Sequence, residues 1–192
     1  MLDYKKYRWF FTSSGKLVVG GKNAEQNEEL VEKILSGKKK YIVMHTASPG
    51  SPFSFIIGEI KDLIKSDFEE TAIFTACFSQ VWKTKGKKFD VHIFTTSQIY
   101  KNRGMSKGTF GVLGEIQNKK AELKLFLIVQ DGKLRTTPFD KLKIAKITPG
   151  NLTKEQAAEK IRRILKEKNL LFAKEEIMQA LPAGNINVKE IK

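Results

Sequence analysis

The chain has 192 residues, 41% of them hydrophobic, with 13 phenylalanines; that is enough to bury the core of one domain with a terminal extension and excludes disorder of the whole chain. Lys and Arg number 35 against 21 Asp and Glu, a formal charge of +14 that gathers polyanions near the surface, nucleic acid or anionic membrane. A single cysteine (Cys77) excludes an intrachain disulfide, and two histidines (His45, His92) supply no zinc-ligand set, so neither metal nor cofactor is expected. No apolar run reaches the roughly 18 to 20 residues that span a bilayer, and the start leads directly into a strand-like segment, so no membrane partner is expected and a cytoplasmic location is.

In chain order, Tyr7-Arg8-Trp9-Phe10-Phe11 is rich in strand-favouring aromatics, Thr12-Ser13-Ser14-Gly15 carries turn chemistry, and Lys16-Leu17-Val18-Val19-Gly20 resumes a β pattern, which predicts a hairpin. After Gly20-Gly21, Asn23 caps a predicted helix whose Ala24, Asn27, Leu30, Val31, Ile34 and Leu35 recur at helical spacing until Ser36-Gly37. Tyr41 to Met44 reads as a buried strand, Ser48-Pro49-Gly50-Ser51-Pro52 as a loop, and Phe53 to Ile57 as the next strand. Residues Asp67 to Trp82 suit a second helix, although Thr71, Ile73 and Thr75 lower its propensity. Phe89 to Thr96 predicts a strand, Asn102-Arg103-Gly104 a turn, Thr109 to Ile116 another strand, and Glu122 to Thr136 a hairpin about Asp131-Gly132.

Beyond Pro149-Gly150, Thr153-Lys154-Glu155-Gln156 offers a capping box for a helix with an apolar stripe at Ala157, Ala158, Ile161, Ile164 and Leu165, which we expect to cover the sheet. A shorter helix is expected near Ala173 to Leu181, with frayed residues after it. The predicted fold class is mixed α+β: a largely antiparallel, twisted sheet flanked by two helices, with a helical C-terminal extension. The expected division is residues 1–148 for the main domain and 149–192 for the extension.

From Ser79 to Gly108, seven basic residues (Lys83, Lys85, Lys87, Lys88, Lys101, Arg103, Lys107) face one acidic residue, Asp90. Lysines in turns beside strands follow a phosphate backbone, and Trp82, Tyr100 or His92 are candidates to stack on a base; the alternative is a solvated basic edge that blocks strand-to-strand association. Gly20-Gly21-Lys22 before a helix start either sets backbone N–H groups and the Lys22 ammonium around a phosphate or supplies turn geometry. Asn27 is either an RNA contact or an inward polar anchor. His45, at a strand end, either contacts a phosphate or base or bonds the adjacent loop. Cys77, in an apolar segment, reads as a buried filler rather than a nucleophile. A His45, Ser48 and Asp62 triad lacks any nucleophile-elbow signature, so a non-catalytic protein is expected. Charge alone admits DNA, because phosphates attract lysine whatever the sugar.

The run Tyr7-Arg8-Trp9-Phe10 through Gly20-Gly21-Lys22-Asn23-Ala24-Glu25-Gln26-Asn27 resembles the opening signature of NFACT-R, the NFACT RNA-binding module. Tyr41 to His45, Gly50, Cys77 to Trp82, Gln98, Lys101, Gly108-Thr109-Phe110 and Gly114 extend the likeness over Tyr7 to Gly114. The resemblance implies RNA as partner, tRNA or ribosomal RNA on the ribosome, since family members act in translation and ribosome quality control; others are fused to RNA-modification enzymes, which gives the alternative of an RNA-modification role on tRNA. One departure is His45-Thr46-Ala47-Ser48-Pro49-Gly50, where the family usually has Ala-Asp and a second His before the Gly. Peptide tailing, which belongs to the full-length factors, is not expected of the module.

Overall fold

The computed structural model describes residues 2–84, 86, 88–139 and 143–191. The aromatic segment forms β1 (Arg8–Phe11) and its partner β2 (Leu17–Gly20), antiparallel, with Gly15 at φ +86° in the turn. Helix α1 (Ala24–Leu35) starts where Asn23 accepts the Gln26 N–H on its side chain. There follow β3 (Ile42–Thr46), β4 (Ser54–Ile57), α2 (Lys65–Cys77), β5 (Lys88–Thr95), the short pair β6 (Ile99–Tyr100) and β7 (Gly111–Val112), and β8 (Gln117–Glu122). Strands β1-β2-β4-β3-β5-β8 make a six-stranded antiparallel sheet in that order.

Side chains alternate across a strand, and here both parities are apolar because both faces are covered. Trp9, Val19, Val43, Phe55 and Phe94 pack with Leu30, Val31 and Ile34 of α1. Phe10, Val18, Ile42, Met44, Ile56 and Ile93 belong with Ala72, Phe74, Ala76 and Cys77 of α2 to the other core. This packing explains how α2 forms. Each β-branched or aromatic residue costs at most about 0.7 kcal/mol against Ala in a helix, whereas fully burying a Phe contributes about 1.5–3 kcal/mol. The helix ends at Cys77 and not at Trp82: Gln80–Thr84 is a 3₁₀ turn.

A second sheet, order β10-β9-β11-β12, takes β9 (Leu125–Gln130), β10 (Lys133–Thr137), β11 (Ala145–Leu152) and β12 (Ile186–Glu190). Asp131 and Gly132 join the first two with φ of 49° and 66°, the positive angles that an Asp-Gly turn favours. Helix α3 (Lys154–Glu167), with its Thr153/Gln156 capping box, buries Ala157, Ala158, Ile161, Ile164 and Leu165; α4 (Lys174–Ala180) packs beside it. The antiparallel α+β class is as the sequence predicts, with the pairings divided between two main sheets.

Two local expectations are corrected. Of Thr109 to Ile116 only Gly111–Val112 is strand, because Gly108 and Gly114 turn the chain with φ of +75° and +77°. The residues after Gly184, expected to fray, form β12, which buries Ile186 and Val188 against β11. The expected division between residues 148 and 149 falls inside β11.

Two contacts lock the sheets together. The Gln130 side chain donates to Phe11 O at 2.9 Å and accepts Phe11 N–H at 3.0 Å, so one amide caps the open edge of β1. Trp82 Nε1 donates to Asn185 O at 3.1 Å. Among the described residues no helix is long and apolar enough to cross a membrane.

Candidate nucleic-acid interface

A cleft of ≈ 560 Å³ opens between the start of α1, the β3–β4 loop, the turn after α2 and the loop before β7. Four basic side chains line it, Arg8, Lys22, Lys83 and Lys107, together with His45 and His92. No Asp or Glu does. Lys83 and Lys107 are exposed, and neither forms an ion pair among the described residues; Lys107 feels the Glu28 carboxylate only at longer range. An acid-free concave wall of cations concentrates field for an anion better than the same charges spread over a convex surface.

The glycines before α1 serve packing. A Cβ on Gly21 would lie 2.5 Å from Asn27 Oδ1 and 2.6 Å from Asn27 N, so only glycine lets the chain pass this close to the first helical turn. Lys22 N–H is engaged by Gln26 Oε1 at 3.1 Å and Gln26 N–H by Asn23 Oδ1 at 2.9 Å. A backbone phosphate cradle from these two groups is therefore not built, and the Lys22 ammonium is what the segment offers. Burial, and then Arg8 and Arg135, hold that ammonium below the usual lysine range. Asn27 is the inward anchor: Nδ2 reaches Ser51 O at 3.5 Å, and Oδ1, shielded from solvent at the cleft wall, has no protein partner.

His45 is not a cation here. Its Nδ1–H donates to Thr46 O at 2.7 Å, the ring lies 4.8 Å from that of Phe53, and burial lowers its pKa from the ordinary value. The neutral ring thus keeps Nε2 as an acceptor, which suits a ribose hydroxyl or base N–H and repels a phosphate oxygen. His92 sits opposite His45 in the β3–β5 register.

The remaining predicted residues scatter, each for a visible reason. Trp82 is corrected: 1% exposed, its indole belongs to the core and cannot stack on a base. Tyr100 packs its ring on Gly111, where a Cβ would come within 2.1 Å of Cζ, and does not line the cleft. Lys101 spends its ammonium within the protein, on Glu28 Oε2 at 2.9 Å, Ser106 O at 2.9 Å and Thr109 O at 3.1 Å. Arg103 is exposed on its turn, outside the cleft lining. Lys88 lies 4.0 Å from Glu122 on a different hollow. Lys85 and Lys87 lie outside the described residues. Of the predicted set the structure brings together Lys22, Asn27, His45, Lys83 and Lys107.

The sequence reading missed Arg8, Phe78 and Phe110. Arg8 carries its guanidinium 4.0 Å from the centre of the half-buried Phe78 ring, and Phe110 is half-buried in the same cleft. The available signal was parity: Arg8 shares the inward parity of Phe10, and a lone arginine there needs a reason. Cys77 is buried and its thiol is pushed well up by burial, as a filler's is. Asp62 does not line the cleft, so no triad forms with His45.

An antiparallel α+β scaffold presenting this concave cationic wall defines a protein built to hold a polyanion. The family described as the NFACT protein RNA binding domain matches residues 6–114, more than half of the chain, and the chain belongs to it; it is an RNA-binding protein. The solved C-terminal part of the fibronectin/fibrinogen-binding protein from Streptococcus suis is similar to it in fold, with TM-score 0.53 at 20% identity over 59% of this chain. The match covers 44% of that structure, so the chain spans less than half of its length. No curated protein matches the chain.

Proposed function

We propose that the cleft is where RNA binds, and that its RNA is structured, a tRNA or ribosomal RNA held mainly through phosphates during translation or ribosome quality control in the cytoplasm. The observation that carries this reading is the convergence of Arg8, Lys22, Lys83 and Lys107 on one wall without a carboxylate. Phosphate contacts would give affinity and register, while the exposed edges of Phe78 and Phe110 and neutral His45 would meet bases and riboses. On this reading the chain acts as a binding module, in keeping with the family's description as an RNA binding domain.

Four neutralised phosphates give a slope of log K against log salt of about −2.8 for single-stranded and −3.6 for duplex RNA. Titrating a labelled tRNA at several salt concentrations, with DNA of the same sequence as competitor, tests the reading. A slope near zero, or no RNA binding at low salt, overturns it, and equal competition by DNA reduces the site to a general polyanion surface.

A further inference from the structure

The family match ends at residue 114, yet a cation from beyond it, Arg135, stands beside the cleft. Arg8 and Lys22 line the cleft and also a small adjoining hollow of ≈ 40 Å³, which Arg135 and the α4 end at Gln179 close from the second sheet. No carboxylate lines this hollow. The acids nearest Arg135 are engaged elsewhere: Asp131 with Lys5 at 2.7 Å and with Tyr4 at 3.1 Å, Glu176 with Lys133 at 3.5 Å.

We infer that Arg8, Lys22 and Arg135 form a phosphate site at the seam between the two sheets, through which the C-terminal unit grips the RNA that the cleft holds. Each arginine is held by an aromatic face and by little else. Arg8 lies over Phe78 and makes one long hydrogen bond, 3.5 Å to Gln179 O. Arg135 lies 4.2 Å over Trp9 and bonds its neighbour's carbonyl, Leu134 O, at 3.1 Å, while its Nε is shielded from solvent without a protein partner. Stacking fixes a guanidinium plane yet leaves its N–H fork free, the arrangement that suits bidentate phosphate.

The electrostatics agree with the geometry. Burial first and then Arg135 hold Arg8 down to about 10; burial, then Arg8 and Arg135, lower Lys22; burial lowers Arg135, against which Glu176 and Asp131 act. Three cations gathered about a hollow whose lining holds no carboxylate gain from any oxyanion that arrives. The hollow has room for about one or two oxygens, so a phosphate on a flexible backbone fits with its remaining oxygens outside.

This inference rests on the RNA reading for its ligand's source, and the test separates the two. The full chain and its Arg135→Met and Arg135→Gln variants are titrated with tRNA at several salt concentrations, and separately with inorganic phosphate while melting is followed. Arg135→Met should flatten the slope by about 0.7 to 0.9, one contact's worth, and should lose the rise in Tm that phosphate gives the unaltered chain. Should Arg135→Met not fold, judged by circular dichroism, Arg135→Gln, which keeps a planar polar head for the Trp9 face, should flatten the slope by the same amount. An unchanged slope with cleft-dependent RNA binding intact overturns the inference and leaves the RNA reading standing. Loss of the phosphate effect with an unchanged slope also overturns it, because the site would then serve a small free phosphate. If the unaltered chain binds no RNA, the RNA reading falls, and a phosphate response abolished by the substitution still supports the anion site itself.

Discussion

Lys101 separates a phosphate contact from a structural clamp. Its Nζ donates to Glu28 Oε2 and Ser106 O, each at 2.9 Å, and to Thr109 O at 3.1 Å, and sits 4.7 Å over the Phe110 ring. The Glu28 carboxylate also accepts Gly108 N–H, and these two donors, Lys101 first, hold it below the usual carboxylate range. The pair therefore ties the loop that carries Lys107 to α1. Lys101→Met keeps the stem and removes the charge. With side chains 30% and 18% exposed, hydrogen bonds to charged groups are worth less than in a dry core, and we expect the loss of about 2 kcal/mol of local stability. That is a factor of about 30 in the population of the opened loop. Amide exchange at Gly108 and Thr109 should accelerate by that factor, and RNA affinity should fall because Lys107 is no longer positioned, while the salt slope measured with bound RNA stays that of the unaltered chain. A slope flattened by about 0.7 to 0.9 with exchange unchanged would show that Lys101 meets a phosphate directly and that the clamp is wrongly assigned.

Other outcomes follow from the same contacts. Gly108→Ala forces φ +75° on an alanine and sets its Cβ 2.9 Å from Ala24 Cα and O; a loss of about 1–3 kcal/mol is expected in urea unfolding. Asp67, fully buried, accepts from Thr12 Oγ1 at 2.6 Å, Ser14 Oγ at 2.5 Å and Ile64 N–H at 2.9 Å. Burial alone raises its carboxyl, but those bonds outweigh it and the group titrates below 3.8, so its contribution is present above the unfolded pKa and is lost as pH falls through the folded one. Asp67→Asn should cost about 2–3 kcal/mol at neutral pH and flatten the acid limb of stability against pH. Glu70 is opposite: burial raises it above 4.5 despite two bonds from Ser13, so its ionised form costs stability as pH rises through that higher value, and Glu70→Gln should raise Tm at pH 7. The His45 ring should titrate below 6.5 by NMR, being neutral in the fold; stability should fall as pH drops from the unfolded value toward the folded one.

Local chemistry made much of the fold legible. Asn23, the Asp131-Gly132 turn and the Thr153/Gln156 box act within a few residues, so the hairpins and α1 and α3 could be placed from the sequence. β12 was missed although Ile186 and Val188 alternate with Asn187 and Lys189, because five residues after a Pro-Ala-Gly turn resemble a loose end until β11 is known to lie beside them. For the site, charge density along the chain was a poor guide to charge in space. The Lys83 to Lys107 stretch divides between the cleft, the Glu28 clamp and the far hollow, because β5 carries it across the molecule. Trp82 was an attractive stacking residue only while its burial was unknown. Arg8, in an aromatic strand, drew no notice, since the meaning of its parity depends on Phe78 seventy residues later.

The most direct measurement is ultraviolet crosslinking of the full chain to bound tRNA, with the modified peptides identified by mass spectrometry. Adducts should concentrate on peptides holding Phe78, Lys83, Lys107 and Phe110, the walls of the cleft. Adducts centred instead on the exposed Lys38 to Lys40 run or on Lys61, with the cleft unmodified, would contradict the account, whatever the affinity.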